Sequence, residues 1–171
     1  MGNTDFRMER HVMIFRRRFQ ASRMAVYTAW TDASRLAKWF GPLRATNTVG
    51  VLDASVGGAW RVVMHMPDAV DYPLKGVYAE IVPGERLVFT MDTSEHPDAW
   101  QARLDAFRDT PTGARAGGIV TTVTFVEVGE ETEMTVALRF DEASDRDAHY
   151  HMGAPQAWGE SLDRLERLLA D

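Results

Sequence analysis

The chain contains no cysteine. That excludes a disulfide framework, a thiolate metal site and a cysteine nucleophile, and it fits a reducing compartment, so a cytoplasmic location is expected. No window approaches the ~20 consecutive apolar residues of a membrane span. The opening stretch MGNTDFRMERH carries charges without the apolar run of a signal peptide. Gly2 is followed by Asn3, Thr4, Asp5 and Phe6, without the Ser or Thr that myristoylation needs. Basic charge is also scarce: 19 lysines and arginines against 25 aspartates and glutamates leave a net charge of -6. Nucleic acid is therefore not expected as a partner, because phosphate binding depends on a basic surface. Arg16, Arg17 and Arg18 are a local exception and read as solvent-facing. Phosphate-loop and nucleophile-elbow signatures are missing too. Gly57-Gly58 and Gly117-Gly118 lack the spacing and the following helix, and are more simply turns. Neither a cofactor nor a nucleotide is expected.

What is present is organised around the closing stretch. Trp158, Leu162, Leu165 and Leu169 recur at spacings of four, three and four, with Leu168 beside them, which gives a helix with one apolar face. Glu160, Asp163, Arg164, Glu166 and Arg167 fill most of the other side, marking a helix laid on a surface with its outer side wet. Ser144 with Asp147 three residues on reads as the start. Pro155 falls inside the pattern, and it predicts a kink near His151 in preference to a second start at Gly153.

Upstream, residues 11–19 read as a first strand, followed by two short helices over 23–30 and 34–40 that form a bent pair. Strand-like runs then cover 47–53, 59–66, 74–82, 86–92, 119–128 and 132–140, separated by turn residues such as Pro83-Gly84 and Gly129-Glu130. Alternation puts Trp60, Val62, Met64 and Met66 on one face against Arg61 and His65, and Met134, Val136, Leu138 and Phe140 against Glu133, Thr135 and Arg139. One antiparallel sheet with an apolar and a wet face must be covered, and the closing helix is the only long amphipathic element available. The whole of 1–171 reads as a single α+β domain. Residues 93–117 are an insertion with a short amphipathic helix on Trp100, Leu104 and Phe107, then a flexible return.

Several short motifs occur in register: Ala29-Trp30-Thr31-Asp32, Trp39-Phe40-Gly41-Pro42, Gly57-Gly58-Ala59-Trp60-Arg61, Gly76-Val77-Tyr78, Pro83-Gly84-Glu85-Arg86-Leu87-Val88-Phe89, and Trp158-Gly159. Together they resemble the activator-of-heat-shock-ATPase-like branch of the START-related (SRPBCC) superfamily over roughly residues 10–170. The resemblance implies a helix-grip fold, in which a curved antiparallel sheet of six or seven strands wraps the C-terminal helix around an apolar cavity. It implies little about activity, since relatives bind lipids, hormones or polyketides, some cyclise or dehydrate such ligands, and others stimulate a chaperone ATPase.

Three functional readings follow. In the first, Trp39, Phe40, Trp60, Met64, Tyr78, Phe89, Met91, Phe125 and Trp158 face inward and line a site for a small apolar molecule, with the Trp100 helix and the 39–42 turn as a lid. Each alone would be ordinary core; together they are large and adaptable enough to line a site. In the second, Tyr78 with Glu80, or His65, performs cyclase or dehydratase chemistry, provided that Tyr78 and Glu80, two apart, both face the interior. His65 by its strand position reads as solvent-facing. The third is a protein-interaction module, as a chaperone ATPase partner or a homodimer. No metal is expected: His149 and His151, two apart, point to different faces of a helix.

Overall fold

A computed structural model describes residues 3–171; the expectation resting on Gly2 lies outside them. Strand β1 (Asp5–Glu9) has no counterpart in the sequence pattern, because its side chains are mostly exposed and carry no alternation. It pairs antiparallel with β2 (Val12–Phe19) through a turn at Arg10 and His11, where Arg10 takes φ 54. Helices α1 (Arg23–Thr31) and α2 (Ala33–Trp39) follow. Ser22 Oγ accepts from the Ala25 amide at 3.1 Å to start the first, and Asp32 both ends the first and caps the second, its carboxylate accepting from the Arg35 amide at 3.0 Å. One capping aspartate thus makes the bend between them.

The remaining strands are β3 (Thr46–Leu52), β4 (Ala59–His65), β5 (Asp71–Val82), β6 (Arg86–Asp92), β7 (Gly118–Val128) and β8 (Glu131–Arg139). With β1 and β2 they form one curved, open, antiparallel sheet in the order β1-β2-β8-β7-β6-β5-β4-β3, eight strands where six or seven were expected. Alternation assigns the faces of the central strands: Trp60, Val62, Leu87, Phe89, Val123 and Phe125 are buried on the concave side. Two irregularities break it. The register shifts between Val49 and Val51, and again between Tyr78 and Glu80. The second leaves Ala79 and Glu80 exposed while Tyr78 before them and Ile81 after them pack on the core.

Helix α3 (Asp98–Ala106) lies between β6 and β7, starting one residue after Pro97. The chain closes with α4 (Ala143–His151) and α5 (Ala154–Ala170), which corrects the expected kink: there are two helices with a full break, and the second starts after Gly153. Gly153 sits at φ 91, a left-handed conformation that ends α4, and Pro155 in the first turn of α5 needs no amide partner there. Ser144 is not the cap. Helix α4 begins after Glu142 without a side-chain cap, and the Ser144 hydroxyl accepts from the Asp109 amide at 2.9 Å.

Helix α5 crosses the concave face. Leu162 and Leu165 are fully buried, and Trp158 stacks on Phe15 at 5.8 Å. Its polar side is less wet than expected. Arg17 is itself a correction, since it alternates inward with Met13, Phe15 and Phe19 and is fully buried. Its guanidinium donates to Asp163 at 2.6 Å and to Glu166 at 3.0 Å, tying sheet to helix, while its Nε alone has no partner. Arg164 donates to the carbonyls of Phe40, Gly41 and Pro42 at 3.0 to 3.1 Å. Among the described residues no helix is long and apolar enough to cross a membrane.

Candidate functional site

Two concavities adjoin α5. The larger, about 950 Å³, is a surface groove among β1, β2, β8 and the end of α5. Its charged walls largely satisfy one another: Arg16 pairs with Asp5 at 3.3 Å, Arg18 with Glu133 at 3.2 Å, and Arg17 with Glu166. The smaller, about 360 Å³, lies at the opposite end of α5, and its walls are chiefly apolar. The sheet supplies Met64, Leu74, Met91 and Leu138 to it, and the turn after α2 supplies Phe40, Gly41 and Pro42.

This space exists because the first turns of α5 are built from small residues. Ala154, Ala157 and Ser161 face it at helical spacing, with Trp158 at the side, whereas the next positions on the same stripe, Leu162 and Leu165, fill the gap to the sheet completely. Met152 and Gly153 at the helix break complete the wall on that side. Gly41 is fixed in place: it takes φ 89, its amide donates to Ser161 Oγ at 3.1 Å, and a Cβ there would stand 2.9 Å from Met64 Sδ.

The third wall comes from the 93–117 segment: Thr93, His96, Trp100 and Arg103, the last exposed at the surface. The segment is irregular after α3 but well tied. Asp105 accepts from the Thr112 amide at 3.0 Å, from Arg108 at 2.6 Å and from the Gly113 amide at 2.8 Å, which holds its carboxyl down to about 2. Arg108 also reaches Asp145 of α4 at 2.9 Å. Gln101 donates to the Thr93 carbonyl at 2.8 Å and accepts from the Ala116 amide at 2.7 Å.

Two histidines front the cavity. His149 is 9% exposed, with its ring 4.7 Å from Phe140 and 5.9 Å from Trp100. Its Nδ1 lies 2.8 Å from the Asp145 carbonyl, which can only accept, so Nδ1 carries the proton and Nε2 is a bare acceptor. Nε2 is buried and bonds to no protein atom. Burial lowers the His149 pKa against the opposing effect of that carbonyl. His96 repeats the pattern, its Nδ1 donating to the Pro73 carbonyl at 3.0 Å and its ring packed 4.6 Å from Trp100. Burial takes it down to about 4. Thr93 Oγ1 is likewise buried without a partner. Both imidazoles are thus weak bases and intact hydrogen-bond acceptors, set in an apolar wall.

Of the residues expected at a site, Phe40, Met64, Met91 and Trp158 line the cavity. Trp39, Trp60, Tyr78, Phe89 and Phe125 do not; they are buried in the solid core. Trp39 Nε1 donates to the Ala29 carbonyl at 2.9 Å and Trp60 Nε1 to the Thr90 carbonyl at 3.1 Å, so neither indole has a donor to offer elsewhere. Tyr78 packs 5.8 Å from Phe89, and burial pushes its hydroxyl up to about 12. The register shift separates it from Glu80, which turns out to the surface and pairs with Arg86 at 3.2 Å; the two do not share a face. His65 is on the outer side, its Nε2 2.8 Å from Thr48 Oγ1 and its Nδ1 2.7 Å from Asp71. A hydroxyl, imidazole and carboxylate in that sequence resemble a hydrolase relay, but none of the three lines either cavity. Among the described residues no group of three or more His, Asp or Glu is placed to hold a metal ion. The sequence pattern missed Thr93, His96 and Arg103, and weighed His149 only as a metal ligand. The available signal was the run of small residues, Ala154, Ala157 and Ser161, interrupting an otherwise bulky helix stripe.

Solved structures share this architecture. A protein from Arthrobacter aurescens superposes with a TM-score of 0.81 at 20% identity, covering 98% of this chain and 91% of that one. A Chromobacterium violaceum protein gives 0.75 at 25% identity, covering 94% and 98%. The AHSA1 protein of Silicibacter pomeroyi gives 0.71 at 18% identity, covering 93% and 97%. No curated protein sequence matches the chain. Residues 20–170, which run from the end of β2 through α5 and include every wall of the cavity, match the family described as "Activator of Hsp90 ATPase homolog 1-like protein", and the chain belongs to that family.

Proposed function

We propose that the protein is a carrier or sensor that encloses a small, largely apolar molecule between the sheet, the α4/α5 break and α3. The observation that carries this reading is the hollow of about 360 Å³ at the edge of the core, within the ~300–1,000 Å³ typical of small-molecule sites. Phe40, Met64, Met91, Trp100 and Trp158 supply aromatic and thioether contact, and methionine adapts to varied ligand shapes. Helix α3 and the Phe40–Pro42 turn act as the lid. The chain works as one domain in which the 93–117 insertion completes the cavity wall, and the lack of cysteine supports a cytoplasmic location. Catalysis by Tyr78, Glu80 or His65 gains no support, because none of them fronts the cavity.

The test is native mass spectrometry of the protein purified from its own host, with tryptophan fluorescence during titration by a panel of apolar compounds. A co-purifying small molecule, or a fluorescence change reporting Trp100 and Trp158, is the expected result. A bare chain whose fluorescence no compound moves would overturn the reading.

A further inference from the structure

Resting on that binding function, we propose that the cavity selects an apolar molecule carrying a hydroxyl or N–H group, which donates a hydrogen bond to His149 Nε2. The assignment follows from how the imidazole is held. Nδ1 is turned back onto the carbonyl of Asp145 in its own helix at 2.8 Å, so Nε2, across the ring, points away from that carbonyl, and His149 is one of the residues that line the cavity. A carbonyl cannot donate, so the tautomer is fixed and Nε2 presents a lone pair. The atom is buried and no protein donor reaches it.

The neighbours reinforce the choice. His96 is held in the same tautomer by the Pro73 carbonyl at 3.0 Å and can only accept through Nε2. The Ser161 hydroxyl is occupied, accepting from the Gly41 amide at 3.1 Å and donating to the Trp39 carbonyl at 3.4 Å. Thr93 Oγ1, buried and unpartnered, can rotate to serve as either donor or acceptor. The buried polar atoms around His149 are therefore mainly acceptors, while Arg103 and Tyr72 bring donors elsewhere in the wall. A molecule with only ether or ketone oxygens would face lone pair with lone pair at His149, and a carboxylate would find its complement at Arg103 on the exposed side of the wall and not at His149. A phenol or alcohol satisfies Nε2 and leaves its apolar body against Trp100 and Phe140, whose rings flank His149 at 5.9 and 4.7 Å.

Calorimetric titration of the full chain at neutral pH with 2-naphthol, 2-methoxynaphthalene and naphthalene tests this. The expected result is that 2-naphthol binds about tenfold more tightly than 2-methoxynaphthalene, the weight of one buried hydrogen bond. His149→Phe, which keeps a ring between Trp100 and Phe140, should erase that preference, so that 2-naphthol and 2-methoxynaphthalene bind the variant alike. Nitrogen-15 NMR of histidine-labelled wild-type protein gives a second readout that needs no variant: the His149 Nε2 resonance should move with 2-naphthol and stay in place with naphthalene. Equal binding of naphthol and its methyl ether by the wild type, or a His149 Nε2 signal indifferent to naphthol, overturns the assignment while naphthalene binding leaves the cavity function standing. If none of the three probes binds, the binding function fails and this inference fails with it.

Discussion

The two ends of α5 meet the same sheet and solve different problems. At the C-terminal end, Leu162 and Leu165 fill the space down to the strands, and Arg17, buried there beside a charged surface groove, is gripped by Asp163 at 2.6 Å and Glu166 at 3.0 Å, with its Nε alone unpartnered. At the N-terminal end, Ala154, Ala157 and Ser161 stand back from the strands, and His149 Nε2 and Thr93 Oγ1 have no protein partner. A folded chain gains stability by filling space and pairing buried polar groups, so the first end looks like a structural anchor. The second leaves an apolar hollow of about 360 Å³ with unpaired polar atoms at its edge, which is what a binding site requires. The difference is written in side-chain size along one helical stripe.

Breaking the anchor should have the largest effect. Leu165→Ala removes a fully buried side chain and should cost about 3 kcal/mol, read as a lower urea midpoint at unchanged slope. Arg17→Ala removes the buried guanidinium that ties β2 to Asp163 and Glu166 of α5 and should cost about 2 kcal/mol, less than a wholly buried pair because both carboxylates are roughly a third exposed. Arg17→Met, which restores apolar volume, should recover part of that loss.

The two ends should also answer differently to acid. Burial holds His149 below its ordinary pKa and His96 down to about 4, whereas both titrate near 6.5 in the unfolded chain. Below about 6.5 the unfolded state binds the extra protons, so stability is full above that pH and declines as pH falls toward about 4. The slope should be on the order of 1 kcal/mol per pH unit for each histidine. The titratable and charged groups around them are Asp145 and Arg108 at His149, and His149 itself, Arg115 and Asp92 at His96. Urea midpoints at about pH 7 and pH 5 in wild type and His149→Phe measure it: the variant should show a shallower loss, and Leu165→Ala the wild-type slope.

The sequence disclosed the anchor better than the site. Period-two alternation identified the inward faces of β4, β6, β7 and β8, and the leucine spacing identified α5. Alternation reports which side of a sheet a residue faces; it does not report how deep the neighbouring side chains reach. That is why Trp39, Trp60, Tyr78, Phe89 and Phe125 looked the same as Phe40, Met64, Met91 and Trp158, although the first set packs solidly and the second borders the cavity. A one-residue irregularity was invisible for the same reason, and it separated Glu80 from Tyr78. Arg17 was misplaced because charge was read ahead of its alternation with Phe15 and Phe19. Strand β1 is an edge strand held by pairing with β2, so it left no apolar pattern to read.

The smallest change to stability should bring the clearest change in function. Ala157→Leu adds bulk to the hollow end without touching the anchor, and it should shift the stability by less than about 1 kcal/mol. Calorimetric titration of wild type and Ala157→Leu with naphthalene is the most direct test of the cavity. The wild type should bind and the variant should lose at least about tenfold in affinity while unfolding at nearly the same urea concentration. Equal binding by the two proteins, or no binding by either, would contradict the account.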